Sequence, residues 1–353
     1  MLQRLLFLLA PETAHRLVIR SFQQLPKLLP AMLGSPKPSA NDSFLSQQLW
    51  GKTFPNPIGL APGFDKNAEV FAPMLRLGFG FVEVGTLTPK PQIGNDKPRL
   101  FRLTQDQAII NRLGFNNHGQ AVAYERLQRG RAKTAGVIGV NIGKNKDSAD
   151  AVADYVMGWQ KMAGVADYIT VNISSPNTAG LRDLQHSKQL EGLLAALSQA
   201  RLQTATNPPL LLKIAPDLEA NQLQDVIQLC LQYQLDGLII SNTTIKRPAS
   251  LKNPHALQMG GLSGQPLFDL STATLAAACA LTKGKIPLIG VGGVASAEQA
   301  YQKIKAGANL VQLYTGLVYG GFPLLYQIQR GLRQYLKQDG YGNVREAVGT
   351  AVN

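Results

Sequence analysis

Cysteine and histidine are almost missing from this chain. Of 353 residues, two are cysteine and four are histidine. Cys230 and Cys279 stand far apart within apolar, helix-like stretches, which reads as core thiols in a reducing compartment rather than a disulfide. His15, His118, His186 and His255 form no HExxH and pair with no cysteine, so no metal is expected. Long hydrophobic runs are missing too. Nothing approaches the roughly 18 consecutive apolar residues of a membrane span. The run Leu5–Ala10 is shorter than the usual ~7–15 of a secretory signal, and no small-x-small site follows, so no cleaved signal peptide is expected. Acidic residues are scarce, 22 against 35 basic, for a net charge of +13. That excess suits nucleic acid, an anionic membrane surface or an anionic small substrate. The basic residues are dispersed, with no run of five, which puts nucleic acid last.

The amino-terminal end is unusual. "MLQRLLFLLAPETAHRLVIRSFQQLPKLLP" breaks at Pro11, and Pro11 with Glu12 suits a helix's first turn. Ala14, Leu17, Val18 and Phe22 then recur at helical spacing, flanked by Arg16, Arg20 and Lys27. Two readings stay open: a helical hairpin packed on the main domain, or short amphipathic helices lying in a membrane interface. "PAMLGSPKPSANDS" reads as a linker, placing a boundary near residue 40.

Beyond it, eight short apolar runs alternate with helix-like segments such as 187–201, 219–233 and 296–306. The runs are 56–62, 81–86, 137–142, 168–173, 210–215, 237–242, 287–293 and 310–316. Near-continuous Val, Ile and Leu with intervening amphipathic segments predicts parallel strands and crossover helices. Eight units predict an α/β fold of the (β/α)8 TIM-barrel type over 41–338, with a small N-terminal helical extension (1–40) and a tail (339–353) that reads only as a short helix. A doubly wound sheet is the alternative, but no GxGxxG follows the first strand and no P-loop exists.

Active sites of such barrels lie at the carboxyl ends of the strands. There stand Gly63, Asp65 and Lys66, then Thr86, Asn141, Asn172 with Ser175, Lys213, Ser241 to Thr243, Gly292 with Gly293, and Tyr314 with Thr315. Asparagine and lysine ending apolar strands are costly without partners. One such residue is a turn cap; a rim of them points to a ligand. "GVGG", "YTG" and "GGLSG" (260–264) suit a phosphate cradled by backbone N–H groups. A phosphate there, with Lys213 and several amides, makes flavin mononucleotide (FMN) the leading candidate, the lysine stabilising the reduced ring's charge.

The segments "GFDKN" (63–67), "PRLFRL" (98–103), "NRLGFNN" (111–117), "VNIGKNKD" (140–147), "VNISSPNTAGLR" (171–182), "LLKIAPDL" (211–218), "SNTT" (241–244), "IGVGGV" (289–294) and "VQLYTG" (311–316) resemble those of dihydroorotate dehydrogenases, in order through essentially the whole chain. The likeness is to the class 2, membrane-associated, quinone-linked branch. It implies FMN-dependent oxidation of (S)-dihydroorotate to orotate in pyrimidine synthesis, at the cytoplasmic face of the inner membrane. FMN would then meet Ala61, Pro62, Gly63, Phe64, Asp65 and Lys66, followed by Thr86, Asn141, Asn172, Lys213, Ser241, Gly264, Gly293, Tyr314 and Thr315. Substrate would meet Lys66, the segment Asn111, Arg112, Leu113, Gly114 and Phe115, and Asn172, Asn177, Asn242 and Thr243. His15 and Arg102 match family positions near the quinone; spacing alone puts His15 on a helix surface. Pro62, where alanine is usual, rules out a backbone N–H bond at that position. Ser241 stands where threonine is common.

The resemblance assigns the C5 proton to Ser175 and the C6 hydride to flavin N5. A serine is a poor base at neutral pH and needs a buried site with an onward proton path, for which Thr178 and Phe115 are candidates. Ser174, its neighbour, is expected to bond backbone in the turn. Class 1 relatives carry cysteine at the base position and lack the extension; here serine and residues 1–40 point to quinone and an anionic membrane surface as partners. A transfer-RNA-reducing flavin barrel lacks support, having no catalytic cysteine or RNA-binding appendage here. A non-catalytic phosphate-binding barrel leaves the lysine and asparagine rim unexplained. "NIS" and "NTT" as glycosylation acceptors are set aside because both sit at strand ends.

Overall fold

The computed structural model describes residues 6–32 and 44–352. The expected linker boundary near residue 40 lies outside them. Helix α1 (Pro11–Gln24) begins with its proline in the first turn, where a missing N–H costs nothing, and with Glu12 at the positive end of the dipole. A short α2 (Leu28–Met32) follows. The face that α1 buries is carried by Ile19 and Phe22, while Leu17, expected on that face, is half exposed.

The strands then follow in order. A hairpin of β1 (Gln47–Leu49) and β2 (Lys52–Phe54) precedes the first barrel strand, β3 (Ile58–Leu60). Next come β4 (Phe81–Leu87), β5 (Leu100–Leu103), β6 (Ala108–Asn111), β7 (Val137–Ile142), β8 (Tyr168–Asn172), β9 (Leu210–Ile214), β10 (Gly237–Ile240), β11 (Gly261–Gly264), β12 (Leu288–Val291) and β13 (Ala308–Leu313). Eight of these close a barrel in the order β10-β12-β13-β3-β4-β7-β8-β9, each neighbour parallel. Each predicted run overlaps one barrel strand; six contain theirs, while β4 runs on to Leu87 and β13 starts at Ala308. The barrel is closed, so the open-sheet alternative falls. Every residue of β4, β7, β8, β9 and β10 is buried, which is why their sequences read as continuous hydrophobic runs.

The crossover helices also start where the sequence signals them. Ser296 caps helix 297–305 through its side chain to the Gln299 N–H, and Glu219 with Gln222 forms a capping box at helix 220–232. Two pieces lay outside the eightfold pattern. The β1–β2 hairpin closes the amino-terminal end of the barrel, where Phe54 packs with Phe81, Tyr168, Leu211, Ile239, Ile289 and Leu310. At the opposite end β5, β6 and β11 form an antiparallel sheet. "GGLSG" is therefore largely a strand rather than a loop. The tail returns to the barrel, with Val344 and Ala347 buried and the Val344 N–H bonded to Phe44 O at 2.8 Å. Cys230 and Cys279 are free thiols.

Large rings fill the closed end only because glycine faces them. A Cβ on Gly59 would overlap the Phe81 ring, and one on Gly139 would overlap the Tyr168 ring. Each fully buried ring contributes about 1.5–3 kcal/mol of transfer free energy, provided that its site is not overfilled. Gly139→Ala is therefore expected to cost about 1–3 kcal/mol. The measurement is the urea midpoint; an unchanged midpoint would mean that Tyr168 repacks freely.

Candidate active site

One cavity of about 610 Å³ opens at the carboxyl ends of the strands and continues between α1, α2 and the sheet β5–β6–β11. Its two ends differ in chemistry. Near the barrel it is lined by Asn111, Asn172, Ser175, Asn177, Lys213, Asn242 and Thr243; near the helices by Phe7, Ala14, Leu17, Val18 and Phe22.

The polar end is held by amide side chains. Asn172 donates to Thr86 Oγ1 at 3.0 Å and to Asn141 Oδ1 at 3.2 Å, and Thr86 donates to the same Asn141 oxygen at 2.6 Å. Asn141 donates in turn to Glu83 Oε1 at 2.8 Å. Ser174 is fully buried and its hydroxyl donates to Asn172 Oδ1 at 3.0 Å while accepting from Asn242 at 3.0 Å. Its partners are thus side chains and not the turn backbone. Ser175 differs: its Oγ accepts the Asn177 N–H at 3.3 Å, donates to no acceptor among the described residues, and lines the cavity. Asn177 reaches Asn111 Oδ1 at 3.2 Å, and Asn111 reaches Gly261 O at 3.4 Å. Thr178 is buried and its hydroxyl has no partner.

Two lysines reach the cavity. Lys213 has no hydrogen-bond partner among the described residues; burial pushes its pKa down, and Glu83 opposes the shift. Lys66 donates to Gly63 O, and burial lowers it to about 8, with Glu12 of α1 raising it and Arg99 lowering it. The loop carrying Lys66 is stitched to both neighbouring strands, Ala61 N to Leu313 O at 2.9 Å and Gly63 N to Gly85 O at 2.7 Å. Asp65 supports that loop from behind, fully buried and accepting the Glu69 and Val70 N–H groups at 2.7 and 2.8 Å. Desolvation raises its pKa to about 6. Phe64 stands edge-on to His15 at 5.3 Å and to Tyr314 at 6.0 Å, and the Tyr314 hydroxyl donates to Gly63 O at 3.2 Å.

Across the mouth, Gly264, Gly292, Gly293, Thr315 and Gly316 line one wall. Gly293 has φ +79°, and a Cβ there would collide with the Phe268 backbone. Among the described residues the N–H groups of Gly293 and Val294 have no acceptor. Thr315 Oγ1 lies 2.9 Å from Ser263 Oγ, and Ser241 donates to Asn242 O at 3.0 Å. The segment Leu113, Gly114 and Phe115 is fixed by Asn95 N to Leu113 O at 3.1 Å and by Gln92 to Gly114 O at 3.0 Å. Phe115 takes φ +54°.

At the apolar end, His15 lines the cavity together with Arg102. Arg102 donates to Leu6 O at 3.3 Å and to Leu9 O, and its guanidinium stands 4.8 Å from the Phe7 ring centroid. Burial, then the charge of Lys66, holds the His15 pKa down at about 3, against a hydrogen bond to the Phe64 backbone. Ala61, Pro62, Gly63, Phe64, Lys66, Thr86, Ser241 and Tyr314 reach the same cavity. Three of the expected residues do not line it. Asp65 and Asn141 act from the layer behind, and the Arg112 side chain turns outward to Gln258 Oε1, Pro98 O and the Phe101 ring.

Sequence reasoning passed over Glu83, fully buried in β4, whose carboxylate accepts from Asn141, Tyr168 and Gln312. Its signal was available as a lone acid within "FVEVG". It also passed over Arg99, which donates to Glu12 Oε1 at 2.9 and 3.1 Å and to Ile93 O and Asn95 O at 2.7 and 2.8 Å.

Residues 44–336 match the family profile of dihydroorotate dehydrogenases. A "Dihydroorotate dehydrogenase (quinone)" of Parvibaculum lavamentivorans is 50% identical over 349 residues, 99% of this chain and 97% of that protein. The mitochondrial counterpart of Arabidopsis thaliana is 51% identical, covering 87% of this chain and 73% of its own. Among solved structures, DHODH from Eimeria tenella in complex with ferulenol superposes with a TM-score of 0.89 at 40% identity, over 96% of this chain and 95% of that one. Matched at this level along nearly its whole length, the chain belongs to the dihydroorotate dehydrogenase family, in its class 2, quinone-linked branch.

Proposed function

We propose that this protein oxidises (S)-dihydroorotate to orotate in pyrimidine biosynthesis and hands the electrons to a membrane quinone, with FMN as the resident cofactor. The observation that carries the reading is a single cavity joining Ser175 and a ring of asparagines at one end to His15, Arg102 and the N-terminal helices at the other.

The residues present fit FMN. Gly293 and Val294 offer two N–H groups with no protein acceptor, on a wall where a Cβ could not be built. Lys213 and the buried Thr243 hydroxyl lack protein partners and face the same space. Buried polar groups without partners are rare and mark places where a ligand completes the bonding. Ala61, Pro62, Gly63, Phe64, Lys66, Thr86, Asn172, Ser241, Gly264, Tyr314 and Thr315 would complete the cofactor's surroundings, with Asn141 and Asp65 supporting them from behind. When bound, FMN supplies the acceptor for the substrate's hydride and the relay toward quinone.

The chain's own residues do the rest. The pairs Asn177–Asn111 and Asn242–Asn172 bond at 3.2 and 3.3 Å, and Asn111 reaches Gly261 O at 3.4 Å, long bonds that are weak enough to be exchanged for those of a planar imide ring. Lys66, predominantly charged at neutral pH, offsets the substrate carboxylate. Thr243, Leu113, Gly114 and Phe115 close the pocket, and Arg112 contributes through its backbone only. Ser175 Oγ takes the C5 proton. Its own hydroxyl proton must pass to an acceptor in turn, and the buried Thr178 hydroxyl, which has no partner among the described residues, is the candidate first relay along the turn. Burial excludes the water that would compete for the base.

His15 stays neutral, so it meets a quinone carbonyl as a hydrogen-bonding group, while Arg102 supplies the positive charge beside it. Around that opening Leu8, Leu9, Leu17, Leu25, Leu28 and Met32 are exposed, interspersed with Arg16, Arg20 and Lys27. An apolar face with cationic flanks suits the headgroup region of an anionic bilayer. Among the described residues no helix is long and apolar enough to cross one. The exposed apolar face with its basic flanks supports a peripheral attachment, which the reading puts at the cytoplasmic face of the inner membrane.

Ser175→Ala is expected to retain dihydroorotate binding while slowing bleaching of the bound flavin by roughly 100-fold or more. Stopped-flow absorbance measures it, and near-normal bleaching would place the base elsewhere. Removing residues 1–40 should spare that half-reaction and depress turnover with a long-chain quinone; equal loss of both would make the segment purely structural. In a ¹⁵N-histidine NMR titration, the His15 ring shifts should stay constant from pH 8 to 5, because its pKa lies far below that window. A midpoint inside it would refute the neutral imidazole.

A further inference from the structure

Behind the glycine wall lies a lysine that the proposed chemistry leaves unused. Lys303, on helix 297–305, has no exposed surface. Its stem runs behind β12, where Gly290 leaves room for it. Its amine donates to Ser271 Oγ at 2.6 Å and stands 5.3 Å from the Phe268 ring centroid. No carboxylate among the described residues lies within 4 Å, and Asp269 attracts it only from farther away. Burial accordingly drives its pKa down to about 7. An amine sealed inside protein without a counter-ion is costly, and an apolar residue would fill the same space at no such cost.

What stands above that amine gives the cost a purpose. Ser271 Oγ lies 3.0 Å from Gly292 O, and Gly292 adjoins the unpartnered N–H groups of Gly293 and Val294 on the cavity wall. Helix 268–282 carries both Ser271 and Phe268, and the Phe268 backbone is what a Cβ on Gly293 would strike. Lys303, Ser271 and the glycine loop are therefore one packed unit. Among the described residues the cavity's own cations are Lys66, Lys213 and Arg102, on the loop after β3, on β9 and on β5 respectively. None stands in the glycine loop, so Lys303 is the charge beneath it.

We propose that Lys303 is the buried counter-charge for a phosphate monoester seated at Gly293 and Val294, a positioning residue that acts through Ser271 and makes the site prefer a phosphorylated ligand over its unphosphorylated form. The inference rests on the FMN reading and adds to it the residue that sets phosphate selectivity. The amine needs no direct contact with the ligand. Its field acts through one hydroxyl and one peptide unit in a region closed to water, where screening is weak.

The test is equilibrium binding of FMN and of riboflavin, which has the same ring and no phosphate, to flavin-free full-length protein, followed by quenching of flavin fluorescence. At a pH below 7, where the amine is mostly protonated, Lys303→Met, close in volume, should weaken FMN by roughly tenfold or more, as expected for an ammonium acting on a phosphate at an effective dielectric of about 20. Riboflavin affinity should stay within about twofold, so the ratio of the two affinities falls. Should Lys303→Met not fold, Ser271→Ala removes the amine's hydrogen-bond partner and should lower the ratio in the same direction. Equal weakening of both flavins would assign Lys303 a purely structural role and overturn the proposal, as would an unchanged ratio in either folded variant. Wild-type protein that binds neither flavin would overturn the cofactor reading itself, a result distinct from the other two.

Discussion

Glu83 stands mid-strand in β4 with no exposed surface, and its carboxylate is held by three uncharged donors. Asn141 on β7 reaches one oxygen, while Tyr168 on β8 and Gln312 on β13 share the other, at 3.0 and 2.6 Å. Lys213 on β9 feels the same charge. Five of the eight barrel strands are thereby referred to one group. Buried charge without such partners is prohibitive, so the pairing fixes the rotamers around it. Asn141 passes that order upward to Thr86 and Asn172, and Asn172 to Ser174 and Asn242. That series ends at Ser174, and Ser175 is the next residue along the backbone, its hydroxyl accepting the Asn177 N–H.

A second chain of bonds enters from the opposite side. Glu12 on α1 accepts from Arg99, and Arg99 holds the carbonyl groups of Ile93 and Asn95. Asn95 donates to Asn177 O at 3.0 Å and to Arg112 O at 3.1 Å. The N-terminal helix and the segment that covers the asparagine ring therefore share one largely buried arginine. Glu12 also raises the pKa of Lys66 where burial lowers it, so the helix contributes to the charge state of a lysine that it does not touch.

Much of this was legible in the sequence because it is local. Strand runs, capping residues and polar strand ends follow from chemistry within a few residues of one another, and each predicted run overlapped one barrel strand, with β4 ending at Leu87 and β13 starting at Ala308. The residues passed over depend on contacts between distant segments. Glu83 and Gln312 are 229 positions apart, and Arg99 and Glu12 are 87 apart. Arg112 shows the converse: it sits in a segment that resembles a substrate loop, yet its side chain is taken by Gln258 and Phe101. "GGLSG" misled by composition, since glycine marks both loops and strands that another backbone approaches closely; here a Cβ on Gly264 would strike Gln107 O. The resemblance separated Ser175 from Ser174, but that the Ser174 hydroxyl is held by Asn172 and Asn242 rather than by turn backbone depends on contacts between distant segments.

The N-terminal helices meet two opposed demands, admitting a long apolar molecule while keeping water from Ser175. A lid bound by a continuous apolar face would satisfy the second and block the first. Here α1 fully buries only Ile19 and Phe22, Val18 and Leu29 pack partly buried on the core, and polar bonds supply further attachments at the edges. Glu12 is held by Arg99, Gln23 donates to Glu69 at 3.1 Å, Pro26 O accepts from Arg76 at 3.2 Å, and Arg102 bonds the carbonyls of Leu6 and Leu9. Fastened around its edges, the pair leaves Ala14, Leu17 and Val18 to line the cavity instead of sealing it. Arg102 then belongs to both functions, since it holds the lid and lines the passage beneath it. A guanidinium with five donors can bond two carbonyls and still present a charged face to a ligand, which a lysine in that position could not do.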